Sequence, residues 1–144
     1  MAKAFRFRLE KVLGVRRLQE AAALRELAAA QNAVADRNGI ILGLMSQEDE
    51  AKRERRAMQE GTVDLPKLRM AGECLAALER LLQCEYETLQ ALVIVEIEKR
   101  HRLTEARKGV RVLERLREKQ ERMHRQGLDL DERKFLDELG RRTA

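Results

Sequence analysis

Two Glu-x-x-His pairs, Glu98–His101 and Glu121–His124, are the residues here most suggestive of metal chemistry. On facing helices of a bundle, such pairs turn carboxylate and imidazole inward and can hold a di-iron centre. Both pairs here lie on one stretch of chain, 23 residues apart, which is about 35 Å along a helix. They cannot converge within one chain, and Arg or Lys flanks each. Cys74 and Cys84 would stand about 15 Å apart on a helix, beyond the reach of a disulfide. Two free thiols suit a reducing compartment, and no second Cys/His cluster joins them into a metal site. Asp129, Asp131 and Glu132 lack the glycine and ligand order of a calcium loop. There is no glycine-rich phosphate loop and no zinc-protease motif. The residues therefore predict no enzyme activity, no metal site and no cofactor.

The elements that would carry these residues are helices. Of 144 residues, 38% are charged, 44% are hydrophobic and only 3% are aromatic, with no Trp and a single Pro. That is the composition of long helices or a coiled coil. A β-sandwich or barrel would need more β-branched and aromatic residues. A ligand pocket would need apolar and aromatic walls. The N-terminal stretch Met1–Leu13 has no continuous apolar run of the kind a signal peptide carries. The apolar run at Leu89–Val95 is far shorter than the roughly 20 residues of a membrane span. A cytoplasmic location, with membrane contact only through partners, is the expectation.

The segment Gly61–Pro66 is the one strong break. Gly61 suits a helix end, Asp64 an N-cap and Pro66 a first helical turn. Segments of similar length flank it, so the predicted fold class is all-α. It is a long two-helix antiparallel coiled-coil hairpin with a short C-terminal helical tail. The expected bounds are a helix over about 5–60, a turn at 61–66, a helix over about 67–126 and a tail at 127–144, all one domain.

The second helix reads as a heptad: Leu68, Ala71, Leu75, Leu78, Leu82, Glu85, Leu89, Leu92, Glu96, Lys99, Leu103, Ala106, Val110, Leu113, Arg117, Gln120, His124. Eleven of these seventeen are apolar, enough for a seam. The first helix is less regular. Its stripe is Phe5, Leu9, Val12, Leu13, Leu24, Leu27, Gln31, Val34, Asn38, Ile41, Leu42, Met45, and then turns polar at Glu48, Lys52, Arg55 and Gln59. In the antiparallel register, Gln31 meets Glu96 as a polar layer. Lys52 meets Leu75, and Glu48 meets Leu78. The second helix is thus left with an apolar row near the turn, which Leu81 widens. Such a row is either a partner site or is covered by Lys and Arg stems.

Charge is uneven along the chain. Residues 1–25 carry +5, 26–60 carry −2, 61–95 carry −2 and 96–144 carry +4. The hairpin would bring the two basic segments together. Glu interrupts them at almost every turn, and there is no dense basic block or row of stacking aromatics. Nucleic acid is not an expected partner.

Three stretches resemble the flagellar export protein family FliJ. They are Phe5–Leu13 followed by Arg16–Glu20, Ala106–Lys119, and Asp131–Leu139. The resemblance spans essentially the whole chain. It implies a non-enzymatic coiled coil similar to the central stalk of rotary ATPases. Its partners would be the flagellar export ATPase ring, the cytoplasmic domain of the export gate, and export chaperones. It would promote ring assembly and activity, contact the gate and escort the chaperones. It would lie peripherally on the cytoplasmic side of the inner membrane. The resemblance places the ATPase-binding residues at Arg6, Arg8, Arg16, Arg17, Arg111, Arg115 and Arg117. It places the gate-binding residues at Cys74, Leu78, Leu81 and Glu85. Cys74 departs from an aromatic position of the family, and Glu85 from a basic one. A stalk should stay mainly monomeric at micromolar concentration. The equivalent injectisome stalk and a self-assembling coiled-coil scaffold remain as alternatives.

Overall fold

The computed structural model describes residues 3–144. They form two long helices that pack as a hairpin, α1 (Glu10–Met58) and α2 (Leu65–Thr143), with no strand among the described residues. The chain divides into two compact units. Unit 1 is Met1–Leu24 with Arg102–Ala144, and unit 2 is Arg25–His101.

Unit 2 contains the turn. The amides of Gln59 and Glu60 donate to the carbonyls of Arg56 and Ala57 at 3.1 and 3.2 Å. These i→i+3 bonds satisfy carbonyls that α1 leaves open. Gly61 follows at φ +74°, a left-handed conformation that strains any residue with a Cβ. Asp64 caps α2. Its Oδ1 accepts from the Lys67 amide at 3.4 Å, and its carbonyl accepts from the Leu68 amide at 3.0 Å. Pro66 sits in the first turn, where a missing N–H costs nothing. Gly61→Ala is expected to cost about 1–2 kcal/mol, and Asp64→Ala about 1 kcal/mol. Urea unfolding followed by circular dichroism reads both, and an unchanged midpoint in either would contradict this account of the turn.

The core of unit 2 is a narrow seam. Leu27 and Ile41 of α1 and Leu75 and Leu82 of α2 are buried. On α2 the predicted heptad holds, since Leu68 through Lys99 at the seam positions are all buried or half-buried. On α1 the stripe differs from the expected one. Ala30, Val34, Arg37, Leu44, Glu48 and Ala51 accompany Leu27 and Ile41 inward, while Gln31, Asn38, Leu42 and Met45 are exposed. Leu27, Val34 and Ile41 are common to both stripes. The second heptad position falls three residues after each of them, not four. Ala30 takes little room at the seam. Arg37 reaches across to Glu85, with Nη1 2.5 Å from Oε2 in a part-buried pair. Lys99 similarly reaches Glu26 at 3.0 Å. The expected Gln31–Glu96 layer is absent, because Gln31 faces solvent and Glu96 accepts from Arg100 one turn along.

Unit 1 holds the better-formed core. Leu13 is 0% exposed and clusters with Phe7 and Val110, with Phe5, Leu9, Leu113 and Leu116 packed around them. Residues 3–9 are not helical, although a helix was expected from about residue 5. The period explains the difference. In Phe5-Arg6-Phe7-Arg8 the aromatics alternate with arginines, so an extended backbone puts both rings on one side. A helix would splay them roughly 200° apart. The Phe5 ring lies 5.8 Å from the His124 ring, and His124 Nε2 is 3.0 Å from the Lys3 carbonyl. Bonds from the Glu10 amide to the Phe7 carbonyl (3.2 Å) and from the Leu13 amide to the Leu9 carbonyl (2.8 Å) lead the chain into α1.

Further along unit 1, Ala23 is half-buried and Leu24, expected inside, is exposed. At the C-terminal side α2 does not stop near residue 126. It runs on through Gly127 to Thr143 where a separate tail was expected. Gly127 weakens a helix by about 1 kcal/mol. It has no positive φ, and no proline follows it, so nothing forces a break. From Asp129 onward every residue is exposed.

Candidate functional site

Folding sharpens the charge asymmetry, because 1–24 and 102–144 join in one unit. Unit 1 carries nineteen Lys/Arg and eleven Asp/Glu, a formal +8. Unit 2 carries eleven and fourteen, a formal −3.

The seven arginines of the expected ATPase face lie in unit 1 but divide into two kinds. Arg17 pairs with Glu114 at 3.3 Å across the helices. Arg117 Nε lies 3.0 Å from Glu10 Oε2. That nitrogen is shielded from solvent and is not aligned for a hydrogen bond, so the contact is one of charge alone. With Arg107–Glu20 at 3.5 Å, these pairs follow the predicted register and tie α1 to α2. Arg6, Arg8, Arg16, Arg111 and Arg115 are exposed and take part in none of these pairs. Arg16 lies along Gly109, its Cδ 3.8 Å from where a Cβ there would be. Arg111 and Arg115 stand one turn apart on the same exposed face of α2. A shallow charged depression beside them is lined by Glu20, Arg107, Val110, Arg111 and Glu114. Its walls offer no aromatic side chain to hold a small molecule.

The four residues of the expected gate face lie in unit 2 and also divide. Cys74 and Leu81, seven residues apart, are exposed, Leu81 at 45%. Leu78 and Glu85, also seven apart, are half-buried, and Glu85 is occupied by Arg37. The row near the turn is thus less open than expected. Leu75 is buried, and Lys52 of α1 is half-buried. Lys52 Nζ is 2.6 Å from Glu48 Oε1. That hydrogen bond and the charge of Glu48 raise its pKa above the ordinary lysine value, against some burial, and Glu79 of α2 pulls the same way.

The two Glu-x-x-His pairs do not converge. His124 is engaged with Lys3 and Phe5, and Glu121 accepts from Arg125 at 3.1 Å. Among the described residues no cluster of three or more His, Cys, Asp or Glu could hold a metal ion. No helix among them is long and apolar enough to cross a membrane.

Arg117 is a seam position of the expected heptad, but its pairing with Glu10, and that of Arg17 with Glu114, were missed in the sequence. Their signal was present: Glu114 and Glu10 stand opposite them in the antiparallel register. Also missed were the apolar side chains Leu42, Met45, Ile94 and Ile97 of unit 2 that face solvent.

The geometry defines a class: a two-helix, all-α hairpin that offers other molecules its side-chain surfaces. Residues 5–144 match the family model described as flagellar FliJ protein, and the chain belongs to that family. It is therefore a component of the flagellar export apparatus. No curated protein and no solved structure gives a significant match.

Proposed function

We propose that this export component docks on the ring of the flagellar export ATPase through unit 1 and promotes ring assembly and ATP turnover. The observation that carries the reading is the +8 charge of unit 1, with five arginines held outward by a packed core. A basic surface is drawn to carboxylates lining a ring, and long-range attraction speeds the encounter. Arg17 and Arg117 belong to the scaffold, and Arg6, Arg8, Arg16, Arg111 and Arg115 to the contact. The same reading gives unit 2 the contact with the cytoplasmic domain of the export gate. That contact is centred on the exposed pair Cys74 and Leu81, with Leu78 behind them. Export chaperones are the third partner, and membrane contact is through these proteins alone.

The assignment splits experimentally. Leu81→Asp puts a charge on an exposed position and should leave helicity unchanged. It is expected to weaken capture of the gate domain roughly tenfold, as loss of one apolar anchor does, and to spare ATPase stimulation. Arg111→Glu with Arg115→Glu should do the reverse. Equal effects of both variants on both readouts, with the fold intact, would contradict the division of labour.

A further inference from the structure

The chain enters α1 through a strap, residues 3–9, that is not helical. Within a helix the Lys3 carbonyl would accept from the amide four residues on; outside one it needs another donor. Half-buried His124 of α2 supplies it, with Nε2 3.0 Å from that oxygen. A carbonyl only accepts, so Nε2 carries the hydrogen. The Phe5 ring lies 5.8 Å from the same imidazole, tilted by 46°, a separation at which aromatic rings attract beyond their buried area. One side chain thus holds two points of the strap. His124 stands about 10 Å along α2 from Arg117, and Arg117 already faces Glu10, the first residue of α1. What His124 meets is therefore the strap and not α1. The second anchor is Phe7, 8% exposed in the cluster with Leu13 and Val110. Arg6 lies between the two anchors and is exposed.

We propose that His124 is a positioning residue: it latches Lys3 and Phe5 to α2 and so holds the strap on both sides of Arg6, which it presents to the ATPase ring. The inference rests on the docking of unit 1 proposed above. With the latch closed, alternation along the extended strap turns Phe5 and Phe7 inward and Arg6 outward, from a backbone fixed at both ends. With it open, Phe7 still anchors the inner end, but residues 3–6 become a free chain end. Arg6 then has to be ordered again at docking, and that lost freedom weakens the contact. Arg8 lies between Phe7 and α1 and keeps its place, so the latch acts on one of the five outward arginines. Histidine suits the position because one side chain supplies both an N–H donor and a ring. Glutamine keeps only the donor and phenylalanine only the ring.

Trypsin cleavage after Arg6 in the full chain reads the latch without the ATPase, since its rate follows the population of opened strap. His124→Ala is expected to raise that rate about tenfold, the combined worth of a hydrogen bond and a ring contact. His124→Gln and His124→Phe should fall between. Cleavage after Arg141, on the exposed end of α2, should match wild type, as should helicity. In the ATPase assay, Arg6→Ala and His124→Ala should each raise the concentration for half-maximal stimulation about threefold, the scale of one exposed charge contact. The double variant should go no further than Arg6→Ala alone, because the latch acts through Arg6. Unchanged cleavage after Arg6 in His124→Ala would overturn the latch. Faster cleavage with half-saturation unmoved, or fully additive effects of the two substitutions, would overturn the positioning role. Arg111→Glu with Arg115→Glu separates the failures. If it too leaves half-saturation unmoved, the ring contact falls and the positioning role with it; if it weakens stimulation as expected, the failure is confined to His124.

Discussion

Leu13→Ala should destabilise the protein by about 3 kcal/mol, within the range of 2–5 for a buried leucine truncated in a well-packed site. Leu13 is the most deeply buried side chain in the fold and lies at the centre of the Phe7–Val110 cluster. Few residues share its load, since a two-helix contact has only one seam. The loss should be local. Hydrogen exchange is expected to show amides near Val110 and Leu113 opening, while those near Leu75 and Leu82 in unit 2 keep their protection. A cost under about 1 kcal/mol would mean the site collapses around the smaller side chain. Uniform loss of protection would mean the two units do not unfold separately.

The second large effect is electrostatic. Arg111→Glu with Arg115→Glu lowers the formal charge of unit 1 from +8 to +4. Neither residue pairs with a carboxylate in the ion pairs that tie the helices, so stability should be nearly unchanged. The concentration giving half-maximal ATPase stimulation is expected to rise roughly tenfold or more at low salt, because attraction between complementary surfaces is lost. The wild-type value should itself rise with salt as the contact is screened. Reversing Arg17 or Arg117 should act differently. Each would set a glutamate against Glu114 or Glu10 and lower the unfolding midpoint. If Arg111 and Arg115 can be reversed without changing half-saturation, the basic surface is solvated surface and nothing more.

The second helix was largely legible in the sequence, because leucine dominates its seam from Leu68 to Leu92 and leaves one frame. The first helix was not. Leu27, Val34 and Ile41 fit two frames, and the larger apolar residues Leu24, Leu42 and Met45 favoured the one that puts them inside. The fold takes the other, with Ala23, Ala30 and Leu44 at the seam and Arg37 paired across it. Periodicity counts apolar residues; it does not register that alanine suits a close helix contact. The extended entry at Phe5–Phe7 was readable in its alternation of aromatic and arginine, but the helix expected from about residue 5 overrode it. The continuation of α2 through Gly127 was not readable, since glycine and aspartate are turn signals that act only where the chain must reverse. For the candidate site, the sequence located the basic segments but could not say which arginines point outward. That depends on which glutamate stands opposite in the partner helix.

Central to the account is that unit 1 acts on the ATPase. The direct measurement is ATP turnover by the cognate flagellar export ATPase, with and without this protein, alongside light scattering to follow ring assembly. The account predicts saturable stimulation accompanied by more assembled ring, both diminished by Arg111→Glu with Arg115→Glu. Unchanged turnover and unchanged assembly at saturating concentrations of a well-folded hairpin would contradict it.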